Sequence, residues 1–192
     1  MASLVLVDAL VPAQSNTLLK NTGLVVAGSL LLALSARVQF HVGTIPMTGQ
    51  TFMVCLLAAV LGAKRGGACI LAYLAEGAMG LPVFCGAGGV VASGLAYMAG
   101  PTAGYLLGFI AATWLVGSMA ERGFDRKMGT TFLMMLLGEA LILGPGMLSL
   151  SAFFGGHAAV VITLGLLPGA VLKALLATAL LPSAWKLFRR SN

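Results

Sequence analysis

Charge is what this sequence has least of. Only 8% of its 192 residues are Asp, Glu, Lys or Arg, where a soluble domain carries about a quarter. That excludes an ordinary water-soluble domain. Metal-ligating and redox side chains are also scarce. The two histidines, His41 and His157, lie far apart in the chain, and Cys55, Cys69 and Cys85 form no CxxC. No metal site or cofactor is therefore expected, and the cysteines read as buried structural thiols, since free Cys behaves as a small hydrophobe. The sequence holds no GxxxxGK[ST], HExxH, GxSxG or Asp-rich metal motif. Without a phosphate-binding loop the chain cannot cradle ATP phosphates itself, and no enzymatic activity is expected.

Apolar residues are what it has instead. They make up 59% of the chain, and the mean hydropathy is +1.03, which predicts an integral membrane protein. A bilayer core of about 30 Å needs roughly 20 apolar residues per helix. Six spans follow, at 18–36, 48–61, 66–80, 102–120, 128–148 and 168–186, giving an all-α, multi-pass domain over 18–192. Residues 1–17 have no basic n-region and carry Asp8 in an apolar stretch. They read as a short interfacial or disordered leader and not as a signal peptide.

The basic residues set the orientation. Lys64 and Arg65 lie between the second and third spans. Arg122, Arg126 and Lys127 lie between the fourth and fifth, and Lys186, Arg189 and Arg190 follow or close the sixth. By the positive-inside rule these connections and both termini face the cytoplasm, with Arg37 alone outside. The net charge of +6 is then a topology signal, and no nucleic-acid partner is expected.

The outer connections 81–101 and 149–167 contain no Asp, Glu, Lys or Arg. Irregular backbone at membrane depth is tolerated only against protein or a cavity, so both are expected to fold back as lids over an extracellular-side pocket. Gly100, Gly104 and Gly108 recur every four residues, a spacing that permits close helix packing or contact with a flat ligand. Ser29 with Ala33, and Gly23 with Ala27, form small-xxx-small pairs in the first span. Glu76, Glu139 and Lys173 are ionisable groups within apolar spans, each costing a few kcal/mol unless paired or hydrated. For Lys173 the choice is between a structural pair with a glutamate and a ligand-binding cation. Pro168-Gly169 read as the opening of the last helix, which sets Lys173 about two turns from the outer end, favourable for an anionic ligand group.

The stretches IPMTGQTFMVCLLAAVLGAKRG (45–66), GLPVFCGAGG (80–89), GPTAGYLLGF (100–109) and LPGAVLK (167–173) resemble the BioY family, the biotin-binding S component of energy-coupling-factor (ECF) transporters. The resemblance implies a six-helix S-component fold in the bacterial cytoplasmic membrane, with biotin as ligand. It also implies partners: a transmembrane T component and a pair of ABC-type ATPases. It maps ligand contacts onto Thr48, Gln50, Pro82, Phe84, Gly86, Gly104, Tyr105 and Lys173, with Lys173 pairing with the biotin carboxylate. Ser29 and Ala33 match the family's T-component contact. The family usually has aspartate where this chain has Ala170, and Glu76 is expected to supply the missing carboxylate. A stand-alone secondary carrier, with Glu76 or Glu139 shuttling protons, and a ligand-free membrane scaffold are the competing expectations.

Overall fold

Glycine decides how closely the helices of this chain approach one another, and with it the architecture. The computed structural model describes residues 5–10, 17–42, 45–85 and 91–191. In chain order these form α1 (Leu6–Leu10), α2 (Thr17–Ser35), β1 (Gln39–Val42), β2 (Ile45–Thr48), α3 (Gln50–Ala78), β3 (Phe84–Cys85), β4 (Val91–Ala92), α4 (Leu95–Met98), α5 (Ala103–Glu121), a short 3-10 turn (Phe124–Arg126), α6 (Met128–Phe154) and α7 (Gly156–Ser191). The fold is mostly helical. Among the described residues the strands form two antiparallel two-stranded ribbons, pairing Gln39 with Thr48 and Phe84 with Ala92. Among the described residues five helices are long and apolar enough to cross a membrane: Leu18–Ser35, Gln50–Ala78, Ala103–Glu121, Met128–Phe154 and Gly156–Phe188. Their outward faces carry exposed Leu30, Leu34, Leu107, Trp114, Leu164, Leu175 and Leu180, a surface suited to lipid.

The second of these, α3, is folded back on itself. Gly62 breaks it with φ 84 and ψ 174, a conformation open to glycine and strained for any other residue. In a straight helix Gln50 and Tyr73 would stand about 34 Å apart at 1.5 Å per residue, yet the Gln50 amide donates a 2.7 Å hydrogen bond to the Tyr73 hydroxyl. Likewise a methyl group on Gly66 would lie 3.2 Å from the Cα of Ala58. The two arms, 50–61 and 63–78, are thus antiparallel and in backbone contact. They overlap the stretches 48–61 and 66–80 that the sequence reading took as separate spans, and the reversal between them is tighter. The break leaves the Ala63 N–H without a partner inside the helix. Glu121 of α5 accepts it at 2.9 Å, placing a carboxylate at a helix N-terminus, where the dipole favours one.

The α5 glycines pack helix on helix. A methyl on Gly104 would fall 1.9 Å from the Pro145 carbonyl oxygen, and one on Gly108 would fall 2.7 Å from the Ile142 Cα, both on α6. Gly117 is equally tight against Ala63 of α3. Gly104 and Gly108 therefore serve helix packing, while Gly100 lies before α5 begins.

Three expectations are corrected. The last helix does not open at Pro168: α7 starts at Gly156 and contains Pro168 within it. The stretch 149–167 is therefore helical except for Gly155, whose φ of 84 and ψ of 156 separate α6 from α7, and it forms no lid. An α-helix satisfies its own backbone hydrogen bonds, so an apolar stretch can continue as helix where an irregular lid would need outside partners. Nor does the described part of the N-terminus behave as a free leader. Val5, Leu6 and Val7 are buried in the core, and Asp8 forms a 2.7 Å ion pair with Arg65.

At the opposite end from the ribbons, the Trp185 indole N–H donates to Asp125 Oδ2, and the Arg126 guanidinium lies 4.6 Å from the Trp185 ring centroid. Burial raises the Asp125 carboxyl above its ordinary range, with the Trp185 hydrogen bond and Arg126 opposing. A raised folded-state pKa means that the folded protein holds this proton more tightly than the unfolded chain. Its contribution is fully present below the unfolded value of about 3.9 and is lost as pH rises through the folded value. Asp125→Asn, which keeps an acceptor for Trp185, should flatten that part of the pH–stability curve and leave the protein at least as stable at pH 7. Thermal unfolding in detergent across pH checks this. The same assay should show Gly104→Val destabilised by about 3 kcal/mol or more through overpacking. Gly129→Ala, whose added methyl meets nothing within 4 Å, should be neutral or mildly stabilising.

Candidate ligand site

Three helices bring one polar group each to the same point. Thr51 stands in the first turn of α3, Glu139 in the middle of α6 and Lys173 in α7. Lys173 Nζ donates to Thr51 Oγ1 at 2.8 Å, and Thr51 Oγ1 donates to Glu139 Oε1 at 2.8 Å. Glu139 is 4% exposed and Lys173 8%. Charges this far from water are costly unless they are paired and hydrogen-bonded, and the threonine hydroxyl joins the cation to the carboxylate. Lys173 thus has the glutamate partner that the sequence allowed for, in Glu139.

These groups face a cavity of about 380 Å³, within the usual range for a small-molecule site. Its walls include Met47, Thr48 and Gln50 from β2 and the start of α3, Tyr105, Leu106 and Phe109 from α5, Leu143 and Leu150 from α6, and Ile162, Leu166 and Ala170 from α7. Cys85 and Tyr97 complete it from the segment after α3. The described parts of that segment, 81–85 and 91–101, bring these two residues back over the helices.

A relay of hydrogen bonds and rings holds it there. Gln50 donates to the Tyr73 hydroxyl, which donates to the Val83 carbonyl at 3.1 Å. Phe84, fully buried, stands edge-on to Tyr73 at 5.4 Å and stacks on Tyr97 at 5.1 Å. The Tyr97 hydroxyl donates to the Cys85 carbonyl at 2.6 Å. Gly77 makes room, since a methyl there would lie 2.0 Å from the Phe84 ring.

The candidates from the sequence divide accordingly. Thr48, Gln50, Tyr105 and Lys173 line the cavity. Phe84 lies behind the wall and fixes the lid. Pro82 is exposed, and its carbonyl accepts a hydrogen bond from Arg37. Gly104 packs on α6, its N–H donating to Ser149 at 3.1 Å. Gly86 lies outside the described residues. Glu76 is placed away from the cavity lining, where it accepts a 2.7 Å hydrogen bond from Ser29. The carboxylate in the cavity is Glu139, because α6 presents it there and the second arm of α3 turns Glu76 toward α2. That bond also turns Ser29 inward, to 1% exposure, so of the pair expected to meet a partner only Ala33 stays part-open. The sequence reading missed Thr51, Tyr97 and Phe109. A hydroxyl next to Gln50 and aromatics in apolar runs carry no local signal of a shared cavity.

The model of the BioY family matches residues 9–190. The chain belongs to the BioY family. The probable biotin transporter BioY of Pyrococcus horikoshii is 37% identical, over 78% of this chain and 84% of its own. Biotin transporter BioY2 of Lactococcus lactis subsp. cremoris is 33% identical, over 85% of this chain and 88% of its own. The crystal structure at 2.1 Å of the S-component for biotin from an ECF-type ABC transporter superposes with a TM-score of 0.75 at 22% identity. It covers 91% of this chain and 95% of that one, which shows a shared fold across the BioY-family domain.

Thr51→Val keeps the shape and removes the bridge between Lys173 and Glu139. Loss of a hydrogen bond to a buried charged group costs about 1–3 kcal/mol. Chemical unfolding in detergent should show Thr51→Val destabilised by that order and Thr51→Ser close to wild type.

Proposed function

We propose that this chain binds biotin in the cavity between α3, α5, α6 and α7 and serves in biotin uptake as the S component of an ATP-driven ECF transporter. The observation that carries the reading is the cavity itself, with apolar and aromatic walls and one polar pole. Biotin matches it: a compact cis-fused bicyclic body suits Tyr105, Phe109 and Tyr97, and its few polar groups suit a small number of placed donors and acceptors. Family membership and the names of the relatives support the same ligand. The alanine at position 170 lines the cavity and leaves room beside Lys173.

The finer architecture goes with this reading. The two arms of α3 each cross the bilayer, making six crossings, and the basic connections place both termini in the cytoplasm. ATP must be handled by partner chains, since the sequence has no phosphate-binding loop, and a T component with two ABC-type ATPases meets that need. Residence in the bacterial cytoplasmic membrane follows.

The test is a titration of the purified protein with labelled biotin, expected to give saturable binding of one ligand per chain. Ala170→Phe, which fills the cavity, should weaken binding at least tenfold. Absence of binding by the wild type would refute the reading. Uptake by vesicles decides the mechanism. The chain alone should not accumulate biotin, whereas the chain with a T component, ATPases and ATP should. Protonophore-sensitive uptake by the chain alone would instead favour a secondary carrier.

A further inference from the structure

The Lys173–Thr51–Glu139 chain limits which end of a ligand can meet it. Nζ and Oε1 are separated by no more than two hydrogen bonds of 2.8 Å each that share one hydroxyl. They form a single polar pole with a donor face and an acceptor face side by side. With Lys173 protonated and Glu139 ionised, the paired form that burial favours, the pole carries no net charge. An incoming carboxylate would meet no net positive charge there, and an ionised Glu139 beside Lys173 would repel it.

Biotin carries its two polar ends far apart, separated by the thiophane ring and the whole valerate chain. One end is a carboxylate. The other is a cyclic urea, in which a C=O acceptor is flanked directly by N–H donors. A carbonyl needs a donor and an N–H needs an acceptor, and only the urea offers both at adjacent positions. Glu139 keeps acceptor capacity for this: a carboxylate has about four lone-pair sites, and the bond from Thr51 uses one on Oε1.

We propose that Glu139 is a specificity-determining residue of the site. It accepts a hydrogen bond from a ureido N–H while Lys173 donates to the ureido carbonyl, so the pole reads the bicyclic head of the ligand. The inference rests on the biotin reading above. It moves Lys173 from the tail carboxylate, where the sequence resemblance put it, to the head. The tail carboxylate is then left to the uncharged donors of the cavity, among them Thr48, Gln50 and Tyr105. A site built around buried hydrogen-bonding groups rejects ligands that leave those groups unpaired far more strongly than it rejects small apolar changes.

The test titrates the purified full chain with biotin, biotin methyl ester and a biotin methylated on its ureido nitrogens. The ester should bind within about tenfold of biotin. The N-methylated ligand should lose at least tenfold, the scale of one hydrogen bond to a charged group. Glu139→Gln should lose at least tenfold for biotin and for the ester alike. An ester at least a hundredfold weaker than biotin, with the N-methylated ligand unaffected, would overturn the proposal and return Lys173 to the carboxylate. Biotin affinity unchanged in Glu139→Gln would overturn it as well. If that variant fails to fold, the three-ligand series on the wild type decides alone. A wild type that binds none of the three refutes the biotin reading itself, an outcome distinct from biotin binding with the opposite ligand ranking.

Discussion

Two opposite charges buried in an apolar bundle are the constraint that organises the site. Glu139 and Lys173 sit on different helices, and Thr51 of a third helix stands between them. At this depth neither charge is tolerable alone, so α3, α6 and α7 must keep their relative register for either to persist. The glycines provide that register. Gly104 and Gly108 press α5 onto α6 at Pro145 and Ile142, and Gly66 presses one arm of α3 onto the other at Ala58. Four residues before Lys173, Gly169 leaves room for the Met47 thioether, which brings the β1–β2 ribbon onto α7 at the cavity wall. Lipid tails are as apolar as leucine, so this close approach of backbones, more than hydrophobic burial, is what holds membrane helices in register.

The lid depends on the same frame. Gln50 lines the cavity and also reaches Tyr73, whose hydroxyl holds the Val83 carbonyl. From there Phe84 and Tyr97 stack, and Cys85 and Tyr97 close the wall. A group in the cavity wall is thus connected, through two side chains, to the backbone that closes the cavity. Within residues 81–101, Val83 and Phe84 are buried and Cys85 and Tyr97 line the cavity, and at those positions polar side chains would lack partners.

Much of this was legible in the sequence. The apolar runs located the helices, because bilayer thickness fixes their length, and intramembrane charge marked Lys173 and Glu139, because burial makes charge expensive. The reversal at Gly62 was close to where Lys64 and Arg65 suggested one. What failed were the inferences that needed three-dimensional neighbours. Pro168 reads as a helix start from local propensity, yet α7 carries it inside, since a helix packed on others can absorb one missing hydrogen bond. Glu76 lies next to GLPVF in sequence but faces Ser29, and nothing local distinguishes its face from that of Glu139. The role of Thr51 depends wholly on partners 88 and 122 residues away.

The chain belongs to the BioY family and shares the S-component fold, and under the proposed function the pole at Lys173, Thr51 and Glu139 is where ligand recognition is concentrated. The most direct measurement is an experimental structure of the full chain with biotin bound. The account predicts density for the bicyclic head against Glu139 and Lys173, walled by Tyr105 and Tyr97. Ligand density beside Glu76 and Ser29, or a cavity empty at saturating biotin, would contradict it.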